Sequence, residues 1–125
     1  MTALLGIDLG TSGCKAVLFD PSGRILASGV SEYPVLSPHP GWAEQDAETW
    51  WEATCRAIRA ALSAAELRPG DVIGIGLSSQ GSAALPVDSD GRPLRPALLY
   101  LDKRSAELCA RLRTRIPNET VMRIN

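Results

Sequence analysis

The sequence predicts an α/β domain whose mixed sheet begins with three antiparallel strands and is flanked by helices. Three observations carry this prediction. Short apolar runs joined by tight turns open the chain, an amphipathic helix pattern follows them, and a continuous apolar run comes after the helix. A strand that follows a helix in this way typically lies parallel to an earlier strand, because the helix returns the chain across the sheet.

The opening runs predict three consecutive strands. Residues 3–7 and 16–19 are short and apolar, as buried strands are. An Asp-Pro-Ser-Gly turn at residues 20–23 leads to a third run at residues 24–30. Turns this short join antiparallel neighbours, so the sheet is expected to begin as a meander.

A long helix is predicted over residues 47–66. Asp46 is a good N-cap, and Glu48 places a negative charge in the first turn, where the helix dipole favours it. Pro69 and Gly70 follow and end the helix. The predicted buried face recurs at three- and four-residue spacing and comprises Trp50, Thr54, Ala57, Ile58, Ala61, Leu62 and Ala65.

The second half of the chain predicts further strands and a second helix. Residues 72–77 form a continuous apolar run, which is typical of a central strand covered on both faces. Residues 83–87 predict a short strand and residues 97–100 another buried strand. The last helix is expected to end at about residue 115, before Pro117, with an inner face of Leu108, Cys109, Leu112 and Ile116.

Composition fits one ordinary globular domain of 125 residues, with 45% hydrophobic and 22% charged side chains. The net charge of −1 gives no field that would attract nucleic acid or an anionic membrane, so neither is expected as a partner. The apolar run at the start is far too short to span a bilayer. The three cysteines lack metal-ligand spacing and fit reduced thiols in the cytoplasm.

The turn between the first two strands predicts a phosphate site. Gly10 lets the backbone approach an anion closely, and successive N–H groups form a nest for its oxygens. Thr11 and Ser12 add hydroxyl donors, and Lys15 adds a positive charge. Asp8 beside phosphates makes sense when a hard cation such as Mg²⁺ lies between them. The alternative is a polar hairpin loop, in which these residues only form the turn.

The pattern D-x-G-[ST]-[ST]-x-x-K at residues 8–15 resembles the first phosphate motif of the sugar kinase, chaperone and actin superfamily, which has a ribonuclease H-like fold. Two further blocks extend the likeness. They are residues 41–46 (Gly-Trp-Ala-Glu-Gln-Asp) with Trp50 and Trp51, and residues 75–80 followed by 96–104. With three blocks in this order, the chain resembles the N-terminal domain of FGGY-family carbohydrate kinases, and xylulose kinases most among them.

The resemblance implies ATP-dependent phosphorylation of a sugar or polyol hydroxyl, with a pentulose such as xylulose as the substrate. In such kinases the first turn faces the ATP phosphates and Mg²⁺. The resemblance therefore assigns nucleotide binding to Asp8, Gly10, Thr11, Ser12 and Lys15, with Asp8 toward the metal.

The resemblance places the sugar near the residues that match Gln80, Gly81, Ser82, Tyr100 and Asp102. Gly81 and Ser82 stand where xylulose kinases usually carry Met-His, and Tyr100 stands where the family usually carries Trp. A site built around particular hydroxyls rejects analogues strongly, so the identity of the sugar does not transfer by resemblance. Asp102 is alternatively the N-cap of the helix that follows it.

The resemblance also implies that residues 1–125 are part of an N-terminal domain. The family's catalytic Asp and its C-terminal ATP-binding domain match nothing in this chain, so we expect a fragment without kinase activity of its own. A homodimer is among the assembly states that the resemblance allows for a full-length kinase. Two other function classes stay open: a chaperone- or actin-like ATPase of the same superfamily, and a non-catalytic sugar-binding or regulatory remnant.

Overall fold

The structure, a computed structural model, describes residues 2–124. Within this described part of the chain, none of the helices is long and apolar enough to cross a bilayer. A 3₁₀ turn at Pro69–Asp71 links the first helix to the strand that follows it. In chain order the elements are β1 (Ala3–Leu9), β2 (Gly13–Phe19), β3 (Ile25–Glu32), β4 (Glu44–Gln45), α1 (Ala47–Ala64), β5 (Val72–Ser79), β6 (Ala97–Leu98), α2 (Ala106–Arg113) and α3 (Asn118–Ile124).

The main sheet is mixed, with the strand order β3-β2-β1-β5. β1 pairs antiparallel with β2, and β2 pairs antiparallel with β3. β5 pairs parallel with β1. α1 lies in the connection between the meander and β5, which is the crossover that a parallel pair requires. The predicted α/β class, with antiparallel first strands and flanking helices, is confirmed.

α1 packs against one face of the meander through small side chains. Ala53, Ala57 and Ala61 are fully buried at this contact, and Leu5 and Leu18 are buried in the same cluster. The helix begins at its predicted N-cap, because the Asp46 side chain accepts a hydrogen bond from the Glu48 N–H at 3.0 Å. Sequence and structure therefore agree on where the helix starts, and the buried stripe is the predicted one with Ala53 added.

Gly29 of β3 determines how closely α1 approaches the sheet. A Cβ at this position would stand 2.8 Å from the Ala60 Cβ and 2.8 Å from the Ala61 nitrogen, and it would also meet the carbonyl oxygen of Ala57. Comfortable contacts between carbon atoms are about 3.5–4.0 Å. The helix therefore rests on the bare backbone of the strand, which glycine alone permits.

β5 lies at the edge of the main sheet, so the prediction of a central strand covered on both faces is wrong for the described residues. Ile73, Ile75 and Leu77 are 62%, 67% and 70% exposed. They lie on the same side of the sheet as the α1 contact, but α1 lies over β2 and β3 and leaves β5 uncovered. An apolar run has the same pattern whether or not something covers it.

The second half of the chain is less regular than predicted. Residues 83–87 form no strand, and only isolated bridges join Ala84 to Leu98 and Val87 to Pro93. The predicted strand at 97–100 is reduced to β6, which pairs antiparallel with β4 in a small separate sheet. α2 ends two residues earlier than expected and, within the described chain, buries none of its residues, so its predicted inner face is wrong.

Candidate functional site

The β1–β2 turn is held from one side by its own backbone and by Tyr33 and Gln45. The Gly10 N–H donates to the Gly13 carbonyl at 2.9 Å, which closes the turn. The Tyr33 hydroxyl donates to the Gly10 carbonyl at 2.6 Å, and the Tyr33 N–H donates to the Ser12 carbonyl at 3.1 Å. The Gln45 amide nitrogen donates to the Thr11 carbonyl at 2.7 Å. Three successive carbonyls are therefore fixed toward the protein.

Fixed carbonyls also fix the amide groups of the turn. In a planar trans peptide, the C=O of one residue and the N–H of the next point in opposite directions. Because the Gly10 and Thr11 carbonyls point toward Tyr33 and Gln45, the N–H groups of Thr11 and Ser12 point away from them. Adjacent N–H groups with a common direction are the arrangement that binds phosphate oxygens.

Tyr33 is suited to this supporting role because it is buried and stays protonated. Its side chain is 6% exposed, and burial raises the pKa of Tyr33 to about 12, with further contributions from Cys14 and Asp8. A phenol that keeps its proton at neutral pH remains a donor to the Gly10 carbonyl.

Asp8 and Lys15 face each other across β1 and β2, on the side of the sheet opposite α1. They are partners in the strand register, and their neighbours along each strand pack into the core. Side chains alternate between the two faces of a strand, which places Asp8 and Lys15 on the open face. A groove of 430 Å³ runs along this face, and Gly6 and Gly76 contribute no side chains to it.

Gln80 directly follows β5 and lies beside the turn. Its N–H donates to the Leu9 carbonyl at 2.8 Å, and its side-chain nitrogen donates to the Gln45 side-chain oxygen at 3.1 Å. Ser82 has a positive φ of 56°, so the chain turns sharply after Gly81. The first two residues of the predicted sugar segment therefore stand next to the predicted phosphate turn.

Tyr100 approaches the same segment through the bridge between Ala84 and Leu98. The two residues exchange backbone hydrogen bonds of 2.9 Å, so the chain after Ser82 runs beside the chain before Tyr100. The Tyr100 side chain is 58% exposed and free to meet a ligand. Its predicted sugar contact stays a prediction.

Asp102 is turned inward. Its carboxylate accepts hydrogen bonds from the Ala43 N–H at 2.8 Å, from the Arg104 N–H at 2.9 Å and from the Arg104 guanidinium at 2.7 and 2.8 Å. These bonds, led by those from the Arg104 side chain, hold the pKa of Asp102 well below its ordinary value of 3.8. Because both of its carboxylate oxygens already accept hydrogen bonds, Asp102 is better suited to holding the neighbouring segment in place than to contacting a sugar directly. It is not a helix N-cap either, since Ser105 precedes α2.

Glu44 and Arg104 form the centre of a charged cluster beside Asp102. One Glu44 carboxylate oxygen accepts from Arg95 at 2.5 Å and from Arg104 at 2.7 Å, and the hydrogen bond from Arg104 is the main reason why the pKa of Glu44 is lowered. The Arg104 guanidinium carbon also lies 3.6 Å from the centre of the Trp42 ring. The Arg104 side chain is only 18% exposed, so it belongs to this cluster and not to a solvated face.

A family profile described as the N-terminal domain of the FGGY family of carbohydrate kinases matches residues 3–125. The chain belongs to this family. The match covers nearly all of the sequence and includes every residue of the turn, of the segment after β5 and of the charged cluster.

Relatives of this FGGY domain include kinases of two different substrates. The chain is 42% identical to a xylulose kinase of Escherichia coli strain K12, over 94% of this chain and 24% of the relative. It is 38% identical to a glycerol kinase of Trichormus variabilis, over 87% of this chain and 22% of the relative. The crystal structure of a xylulose kinase from Rhodospirillum rubrum superposes with a TM-score of 0.85 and 28% identity, over 94% of this chain and 24% of that one. The chain thus spans about a quarter of the length of these relatives.

The donor set of the FGGY domain fits a nucleotide phosphate with a bound Mg²⁺ better than a metal held by protein alone. No group of three or more His, Cys, Asp or Glu side chains within residues 2–124 is arranged to hold a metal ion. Mg²⁺ is usually bound through one or two carboxylates together with substrate phosphates and water. A single exposed carboxylate at Asp8, beside outward-pointing amides, is consistent with that mode.

Tyr33 and Gln45 are the residues of the site that sequence reasoning missed. Tyr33 carries no motif signal, since it stands at the end of an ordinary strand. Gln45 belongs to the two-residue strand β4 inside the block of residues 41–46, and its place in that block was a usable sign of a role at the site. Both act on the turn from behind, through its carbonyl oxygens.

Proposed function

We propose that the protein carrying this domain transfers the γ-phosphoryl group of ATP to a hydroxyl of a sugar or polyol, with a pentulose such as xylulose as the preferred substrate. The observation that supports this most is the β1–β2 turn. Tyr33 and Gln45 bind its carbonyls from one side, which directs the Thr11 and Ser12 amides to the other. Membership of the FGGY family supports the reaction class.

In the proposed reaction the substrate hydroxyl oxygen attacks the γ-phosphorus. The bond from that phosphorus to the β–γ bridging oxygen breaks, ADP leaves, and the hydroxyl proton passes to a base. The Thr11 and Ser12 amides and hydroxyls, Gly10 and Lys15 hold the phosphates. Asp8 holds Mg²⁺, which when bound neutralises the phosphate charge. Such a reaction depends on positioning and charge neutralisation more than on covalent chemistry from the protein.

For the sugar we propose contacts from Gln80, Gly81, Ser82 and Tyr100, with Asp102 supporting the segment beside them. Glycerol and xylulose kinases are similarly close relatives of this chain, so the choice of a pentulose rests on the resemblance of the motifs alone. We also propose that residues 1–125 form part of an N-terminal kinase domain, and that the base and the adenosine-binding domain come from elsewhere. The coverage of the relatives supports this division.

We further propose a cytoplasmic location, where ATP and reducing conditions are available. Cys14, Cys55 and Cys109 are free thiols in the described structure, which fits that compartment. A homodimer is proposed as the assembly state of the complete protein, and light scattering at several concentrations tests it.

The test is a substrate screen with the complete protein, using xylulose, ribulose, glycerol and gluconate with ATP and Mg²⁺, and measuring ADP release. We expect turnover with a pentulose. Asp8→Ala should lower kcat by about 100-fold or more, because the Mg²⁺ that neutralises the phosphates then loses its carboxylate ligand. Asp90→Ala is the matched control, since the Asp90 carboxylate is 65% exposed and pairs only at the surface with Arg92. Sugar binding without any ADP release would instead support a non-catalytic role.

A further inference from the structure

The Gln45 side chain is a buried amide with every hydrogen-bonding position in use. It is 2% exposed, although it belongs to a strand of only two residues outside the main sheet. Its nitrogen donates to the Thr11 carbonyl at 2.7 Å and to the Pro34 carbonyl at 3.2 Å. Its oxygen accepts from the Trp50 indole N–H at 2.9 Å and from the Gln80 amide at 3.1 Å.

These partners allow only one orientation of the Gln45 amide. Backbone carbonyls only accept hydrogen bonds, and an indole N–H only donates. The Gln45 nitrogen must therefore face Thr11 and Pro34, and its oxygen must face Trp50. An inverted amide would place oxygen against oxygen at Thr11 and Pro34 and N–H against N–H at Trp50.

The orientation of Gln45 then determines the orientation of Gln80. Because the Gln45 oxygen can only accept, Gln80 must present its NH₂ group to it. The Gln80 oxygen is left as a buried acceptor that has no partner among the described residues. Such an acceptor is a site where a donor is expected.

We propose that Gln45 is a positioning residue that couples the phosphate turn to the sugar side of the site, an inference that rests on the proposed kinase function. One amide joins Thr11, which lies 34 positions before it, to Gln80, which lies 35 positions after it. Through Thr11 it directs the Ser12 N–H toward the phosphate side. Through Gln80 it orients the first side chain of the proposed sugar segment.

The experiment compares Gln45→Glu with wild type in the complete protein. The carboxylate keeps the size of the side chain and its ability to accept from Trp50 and Gln80, but in its ionised form it donates nothing to the Thr11 carbonyl. Thr54→Val is the matched control, because it removes one partly buried hydrogen bond, to the Trp50 carbonyl at 2.8 Å, that does not reach the turn. If Gln45→Glu does not fold, Gln45→Met carries the same test without a charge.

The readouts are kcat and KM with ATP and sugar, the Kd of ATP and of AMP, and the melting temperature. We expect Gln45→Glu to lower kcat by about 10- to 100-fold and to weaken ATP binding about tenfold, since misplaced reacting groups cost that much. AMP binding should stay within about twofold, because AMP lacks the β- and γ-phosphates that the turn is proposed to hold. Thr54→Val should leave these constants unchanged.

Two results would overturn the inference, and they are distinguishable. If the variant only melts earlier, or weakens ATP and AMP equally, while wild type phosphorylates a sugar, then Gln45 is merely structural and the proposed function stands. If wild type itself neither binds ATP nor phosphorylates any sugar, the proposed function is wrong and the coupling role fails with it.

Discussion

Gly29→Ala tests how tightly α1 is seated on the sheet. The added Cβ would lie 2.8 Å from the Ala60 Cβ and 2.8 Å from the Ala61 nitrogen. A comfortable separation is about 3.5 Å or more, so the helix must move by at least about 0.7 Å, and further to clear the Ala57 carbonyl oxygen, or the strand must bend. Overpacking of a core costs about 1–3 kcal/mol. The upper end applies here, because two of the obstructing atoms belong to the helix backbone and cannot rotate away.

We therefore expect the free energy of unfolding to fall by about 3 kcal/mol, which at about 4 °C per kcal/mol lowers the melting temperature by about 12 °C. Circular dichroism at increasing temperature measures this. Gly76→Ala is the matched control, since nothing lies within 4 Å of a Cβ added there, and its melting temperature should change by no more than about 2 °C. Equal melting temperatures for Gly29→Ala and wild type would mean that the helix does not rest on the strand as described.

Three further predictions concern the residues that support the site. Tyr33→Phe removes the hydroxyl that holds the turn and keeps the ring, so unfolding should become easier by about 1 kcal/mol and the KM for ATP should rise; an unchanged KM contradicts the supporting role. Folding lowers the pKa values of Asp102 and Glu44 from their ordinary values of 3.8 and 4.5. The two carboxylates therefore contribute fully to stability at pH values above 3.8 and 4.5, and this contribution is lost as the pH falls through their lowered, folded-state pKa values. Asp102→Asn should therefore flatten the acid decline of the melting temperature, and an equally steep decline would count against it. Arg104→Lys keeps the charge, but an ammonium group cannot bridge the Glu44 and Asp102 carboxylates and also stack on the Trp42 ring. Tryptophan emission should therefore shift to the red, and an identical spectrum together with an identical melting temperature would refute this.

The first half of the fold follows from local chemistry and was predicted well. Three apolar runs with tight turns form the meander, and Asp46 caps α1 where its side-chain chemistry indicates. The predicted helix stripe omitted Ala53, which is fully buried, because alanine is not distinctive in a sequence rich in it. The close approach of the helix to Gly29 of β3 could not be foreseen either, because it depends on tertiary packing.

The second half was predicted less well because its structure depends on long-range pairing. β4 and β6 are two residues each and join across more than fifty positions, so neither has a pattern long enough to detect. The exposure of Ile75 could not be foreseen either, since the apolar run indicates only that a strand prefers cover.

Within the candidate site, the sequence indicated the glycine, hydroxyl-bearing and charged residues of the compact motif at residues 8–15. It did not indicate the residues that hold the motif from behind. Tyr33 and Gln45 each donate one side-chain hydrogen bond to a carbonyl of the turn, and nothing in the sequence specifies which carbonyl a distant side chain will meet. The buried position of Arg104 could not be foreseen for the same reason, because its partner Glu44 lies 60 positions away.

The packing of α1 against β1, β2 and β3 has a consequence for folding during translation. Residues 3–64 contain β1, β2, β3 and α1, with only the two-residue β4 between the last two, so every buried residue of that core is synthesised before β5 leaves the ribosome. A nascent chain can thus complete this unit early, as domains generally do from the N-terminus onward. β5 then pairs with the free edge of β1, which is already formed, so the position of β1 in the folded unit determines the register of β5.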